Sequence, residues 1–101
     1  MTAVEEGALG EKLLHLKNSR LGYLFSVTTK LNEIDALLSN EENRERVRER
    51  LGEFVTAFEK FKEAHILYLS FVEDEDCIAR CQESFDREVV RKENFIQGVQ
   101  E

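Results

Sequence analysis

Val47-Arg-Glu-Arg-Leu51-Gly-Glu-Phe54-Val-Thr-Ala-Phe58-Glu-Lys-Phe61-Lys-Glu-Ala-His65-Ile-Leu-Tyr68-Leu-Ser-Phe-Val72 is the stretch that decides the fold of this 101-residue chain. Val47, Leu51, Phe54, Phe58, Phe61, His65, Tyr68 and Val72 follow one another at alternating steps of four and three. That rhythm keeps one side of an α-helix turned inward and is the seam spacing of coiled coils. A strand would need strict alternation instead. A second apolar line through Val55, Ile66 and Leu69 widens the face beyond what one neighbour covers. The helix therefore reads as the element that touches two others.

Upstream, Ser39-Asn40-Glu41-Glu42 marks a boundary. Ser39 with Glu42 three residues on reads as a capping box, and acidic residues in a first turn suit the positive end of the helix dipole. Before it, Leu14, Leu21, Leu24, Val27, Leu31, Ile34 and Leu38 form the expected seam of a first helix, with Gly22 inside it. Residues 1–9 show no sustained period and are expected to be a flexible acidic arm. Downstream, Glu73-Asp74-Glu75-Asp76 disfavours the negative end of a helix and suits the start of a new one. The expectation is a turn near 72–76, with one kinked continuous helix as the alternative. The third helix carries Ile78, Cys81, Phe85, Val89, Phe95, Ile96 and Val99, and Glu88 and Lys92 on or near its seam make it the weakest of the three. Its period runs on into Val99, as in a piece cut from something longer.

The expected fold is all-α: an antiparallel three-helix bundle of long helices with coiled-coil-like packing, spanning about 10–38, 40–72 and 75–100 within a single domain at 10–101. The absence of proline agrees with long uninterrupted helices. The expected core seam comprises Leu24, Leu31, Leu38, Leu51, Phe54, Phe58, Phe61, His65, Tyr68, Val72 and Phe85. Val55, Ile66, Leu69, Phe71 and Phe95 are the candidate interface, apolar surface left over for another chain.

Charge narrows the function classes. Fourteen Lys and Arg against 21 Asp and Glu give a net charge of −7, which opposes binding to phosphate backbones driven by Lys and Arg. The one arginine-dense stretch, Arg44 to Arg50, is interleaved with glutamates, and the arginines two apart point to opposite sides of a helix. Glu42–Arg46 and Glu45–Arg48 are its expected ion pairs. Nucleic acid is thus not the expected partner of this segment. No apolar run has the length of a signal core or a membrane span, so the expected location is intracellular, cytoplasmic by default.

Residues able to carry chemistry are few. Cys77 and Cys81 stand four apart on a helix, too far between Cβ atoms for a disulfide and without two further ligands for zinc. They read as reduced thiols. His65 on the seam reads as a packed or hydrogen-bonded residue, with a pH-sensitive register device as the alternative. Glu73–Asp76 lacks the alternating ligands and glycine of a calcium loop. Ser26, Thr28 and Thr29 have no histidine at a fixed spacing, and no phosphate-binding, dinucleotide or H-E-x-x-H motif occurs. The expectation is a non-enzyme with no catalytic residue, cofactor or metal.

A family resemblance adds to this. Arg20 and Gly22 lead into Val27-Thr28-Thr29-Lys30-Leu31-Asn32-Glu33-Ile34, an acidic linker comes next, then Phe61, His65, Tyr68 and Leu69, then the Glu73–Asp76 turn. Across residues 18–101 this order resembles the helical N-terminal Gag-like segment of BEL/Pao-type LTR retrotransposon polyproteins. Such segments often continue into a tryptophan on the third helix, and this chain has none. The resemblance implies a non-catalytic assembly piece of a polyprotein, or of a host gene derived from one, whose partner is itself. The alternative is a cellular spectrin-like or coiled-coil adaptor that binds a partner helix without self-assembly.

Overall fold

A computed structural model describes residues 3–100, with side chains described from Gly10 to Val99. The described residues form three helices, α1 (Ala3–Leu37), α2 (Arg44–Phe71) and α3 (Glu75–Gln100), and a 3₁₀ turn at Glu41–Asn43. No described residue is in a strand. Cross-helix pairs set the directions. Lys30 meets Glu53 near one end of α1 and α2, and Arg20 meets His65 further along. Phe54 meets Phe95, and Tyr68 meets Cys77. Each neighbouring pair is antiparallel, so the bundle runs up-down-up as a rod of 61 × 21 × 15 Å.

The boundaries come from local hydrogen bonding. After α1, the Asn43 side chain donates to the Leu37 carbonyl, satisfying a group left free at the helix end. Asn40, not Ser39, caps the 3₁₀ turn: its Oδ1 accepts from the Glu42 N–H at 3.0 Å. The Ser39 hydroxyl turns back to the Ala36 carbonyl, so the expected capping box does not form and the cap sits one residue further on. The second boundary is a true break. Val72 is extended, and Asp74 Oδ1 accepts from the N–H groups of Asp76 and Cys77 at 2.9 and 3.3 Å. The acidic run is thus a turn with its own N-cap, and α2 and α3 are separate helices. The stretch expected to be an arm is helical from Ala3 onward, while Met1 and Thr2 lie outside the described residues.

Val27, Ile34, Val47, Phe54, Ala57, Phe58 and Phe61 form one contiguous buried cluster. Phe54, Phe58 and Phe61 are all but fully enclosed, and each such burial is worth about 1.5–3 kcal/mol relative to an exposed ring. The α1 and α2 backbones lie close together along their length, whereas the α3 backbone stands further off. Aromatic rings bridge that wider gap. Phe85 sits 6.0 Å from Phe58 and 5.6 Å from Phe61, and Phe95 sits 5.6 Å from Phe54. Lys92, which looked like a flaw in the third seam, is half-buried with its ammonium 4.6 Å from the centre of the Phe58 ring, where the ring's negative face attracts it.

The inward side of α1 differs from the expected seam. Leu14, Leu21 and Leu38 are exposed, and Leu16 and Arg20 are buried in their place. Leu16, Arg20, Leu24, Val27, Leu31 and Ile34 share one side of the helix, turned from the leucine stripe by roughly a third of a turn at 3.6 residues per turn. Leu38 lies just past the last residue of α1, so the helical period no longer holds it inward. Gly22 faces open space, and a Cβ there would touch nothing within 4 Å, so close helix approach is not its reason.

Candidate functional site

Two features stand out from ordinary bundle packing: a polar junction buried among all three helices, and an apolar stripe left outside them. The junction is built on Arg20, which is only 6% exposed although arginine is seldom buried without a partner. Its Nε–H donates to His65 Nδ1 at 3.1 Å, and its Nη2 donates to the Cys81 carbonyl at 3.4 Å. The guanidinium carbon also lies 5.3 Å from the centre of the Phe61 ring. One α1 side chain therefore ties α1 to both α2 and α3.

Donor logic places the proton on His65. Arginine donates only, so Nδ1 must be the unprotonated nitrogen and Nε2 carries the hydrogen. Nε2 lies 3.2 Å from Gln82 Oε1, which accepts it, and the Gln82 amide donates to Asp86 Oδ1 at 3.0 Å. The resulting chain, Arg20 to His65 to Gln82 to Asp86, leads from a buried cation to an exposed carboxylate. The imidazole lies flat against Phe85, with centroids 4.3 Å apart and planes 6° from parallel. Burial lowers its basicity below that of a free histidine; the Gln82 bond opposes this, the nearby Arg20 charge adds to it, and Asp86 partly offsets it. His65 is a neutral structural linker whose two nitrogens are both engaged.

Beside the junction, Lys17, Leu21, Tyr68, Cys77 and Cys81 line a groove of about 380 Å³ between α1 and α3. Tyr68 Oη lies 3.7 Å from Cys77 Sγ. Burial, reinforced by that contact, pushes the phenol above its ordinary range. Burial also pushes the Cys81 thiol up, against the pull of Arg20. A thiol so shifted is protonated and a poor nucleophile or metal ligand. Both cysteines are free, and among the described residues no three His, Cys, Asp or Glu side chains converge on a metal-sized space.

The residues read as core mostly gather there. Phe54, Phe58, Phe61, His65 and Tyr68 are buried, and Leu24, Leu31, Leu51, Val72 and Phe85 are half-buried. Leu38 is exposed and leaves that set. The candidate interface comes apart. Phe95 packs on Phe54, so it belongs with the core, and Phe71 lies beneath the Lys12 ammonium at 4.2 Å. Leu69 is half-buried, and only Val55 and Ile66 remain on the surface. The ion pairs expected in the arginine stretch are absent among the described residues: Glu42 falls in the 3₁₀ turn outside the α-helical spacing, and Glu45 and Arg48, both within α2, form no ion pair. Arg50 instead reaches Glu53 at 2.9 Å, and Lys30 joins from α1 at 3.2 Å.

The exposed stripe lies on α1. Leu14 is 58% exposed, Leu21 47% and Phe25 74%. At about 100° per residue these three fall within about 40° of one another. The same spacing that pointed to a seam was therefore real for Leu14 and Leu21, but it faces outward.

Among the described residues, no helix is long and apolar enough to cross a membrane. Compared with family models, curated proteins and solved structures, the chain matches none of them.

Proposed function

We propose that this chain is a non-catalytic helical module for protein–protein interaction and self-assembly, of the kind its resemblance to retrotransposon Gag-like segments implies. The observation that carries the reading is the apolar stripe Leu14, Leu21 and Phe25 on the surface of a bundle whose core is already filled. Exposed apolar side chains scattered singly need no explanation, but aligned ones mark contact surfaces. The polar junction supports the non-catalytic half of the reading, because its histidine has no free nitrogen and burial holds the Cys81 thiol protonated. The resemblance adds the setting: a piece of a polyprotein, or of a host gene derived from one, that assembles with copies of itself.

Sedimentation velocity over a range of protein concentration tests this. The expected result is a sedimentation coefficient that rises with concentration while the helical circular dichroism stays constant. A monomer that persists to high micromolar concentration overturns self-assembly and leaves the partner-helix adaptor as the standing alternative.

A further inference from the structure

We propose that the outward side of α1 is a homodimer face, on which a second copy of the chain docks its own α1 in antiparallel orientation. The inference rests on the self-assembly reading and names the surface and the geometry. Its first support is the distribution of charge. The chain is 35% charged, yet between Asn18 and Asn32 the only ionisable cations or carboxylates are Arg20 and Lys30. Arg20 is turned into the junction, and Lys30 is drawn to Glu53 of α2. The outward side over that span therefore presents Asn18, Leu21, Phe25, Thr28 and Asn32 with no charge among them. Depletion of charge around aromatic and aliphatic anchors is what distinguishes the centre of a protein interface from the remaining surface.

The second support is spacing. Leu14, Asn18, Leu21, Phe25, Thr28 and Asn32 follow one another at steps of four and three. α1 thus carries a second seam, on the side its own bundle leaves uncovered. Asparagine within a seam is a known device for fixing partner number and register at some cost in stability.

The third support selects the occupant. Lys17 and Asp35 border the stripe on the same flank, both exposed and neither in an ion pair among the described residues. They lie equally far from Ser26 in opposite directions along the helix. In an antiparallel two-fold pair centred there, Lys17 of one copy comes beside Asp35 of the other, twice over. The two Phe25 rings meet at the centre. A two-fold interface must be self-complementary, and this surface is so in charge. A parallel two-fold pair would instead put these flanks on opposite sides of the seam and leave Lys17 and Asp35 with no opposite charge beside them.

Sedimentation equilibrium of the full chain and its variants tests the proposal. Phe25→Glu is expected to abolish the dimer with unchanged circular dichroism, and Ile66→Glu on α2 to leave it intact. Lys17→Glu and Asp35→Lys are each expected to weaken it at least several-fold, and the combined reversal to restore it. These two positions are exposed, so the charge reversal remains decisive even if Phe25→Glu disturbs α1. Self-association that survives Phe25→Glu and is lost with Ile66→Glu overturns the α1 face while leaving self-assembly in place. Single reversals without effect, or a double reversal that fails to restore the dimer, overturn the antiparallel register. A chain monomeric at every concentration overturns both this inference and the reading it rests on.

Discussion

The two ends of the bundle hold their helices together by different physics. Around Phe54, Phe58 and Ile34 the contacts are apolar and aromatic, and any side chain of similar volume would serve much of the purpose. Around Arg20 and His65 the contacts are directional: one guanidinium satisfies an imidazole on α2 and a carbonyl on α3 at the same time. Ring packing supplies most of the free energy but tolerates sliding, because a displaced ring still finds apolar neighbours. A hydrogen-bonded cation does not tolerate it, since a shift by one turn leaves a buried donor unpaired. The apolar end stabilises the bundle, and the polar end fixes its register.

The largest effect that tests this contrast is expected from Phe58→Ala. Removing a buried phenylalanine typically costs about 3–5 kcal/mol, a large share of a small domain's total of about 5–15 kcal/mol. Cooperative loss of helical circular dichroism at a much lower temperature is the expected reading, and an unchanged melt removes Phe58 from the core. At the other end, His65→Leu strands the Arg20 Nε–H and should cost about 2–3 kcal/mol. Pairing it with Arg20→Met should recover much of that loss, because the stranded charge is gone. A double-mutant cycle by urea titration that proves additive would show that the two residues do not act together.

Acid should separate the ends more gently. His65 is held less basic than in the unfolded chain, so the unfolded state takes up its proton more readily. Stability is fully present above about pH 6.5 and falls as the pH drops toward the lowered folded value, by at most about 1.4 kcal/mol per pH unit. The Arg20→Met/His65→Leu variant should lack that slope between about pH 6.5 and 5, where aspartate and glutamate side chains contribute little. Urea unfolding at stepped pH reads the difference. The smallest effect is a gain: Gly22→Ala fills open space on a helix and should raise the unfolding free energy by up to about 1 kcal/mol at low protein concentration, read by the same urea titration.

The same contrast explains what the sequence disclosed. The α2 seam was legible from spacing alone because its apolar residues lie on one broad side, and Phe54, Phe58, Phe61, His65 and Tyr68 are buried as that spacing requires. α1 was harder. It carries apolar residues on two sides, and periodicity does not say which side meets α2. Counting hydrophobic residues favoured the leucines and passed over Arg20, because arginine is ordinarily a surface residue. Yet a signal was present. Arg20 stands four residues from both Leu16 and Leu24, a cation on an apolar stripe, and the facing helix offers a histidine on its own seam. The register of the pairing, which no local pattern encodes, decided between the two stripes. The acidic turn at Glu73–Asp76 was legible for the opposite reason, since capping and helix dipoles are local effects.

The wider stand-off of α3 has a consequence for how the molecule breathes. A helix held by ring edges and side-chain tips has fewer close contacts to lose than one packed against its neighbour's backbone, so it opens as a unit at lower free energy than the whole fold. Amide hydrogens of α3 should exchange ahead of those in α1 and α2. Each such opening also frees Cys77 and Cys81, half-buried in the closed bundle, so their labelling by a thiol reagent should quicken under conditions in which the third helix departs more often.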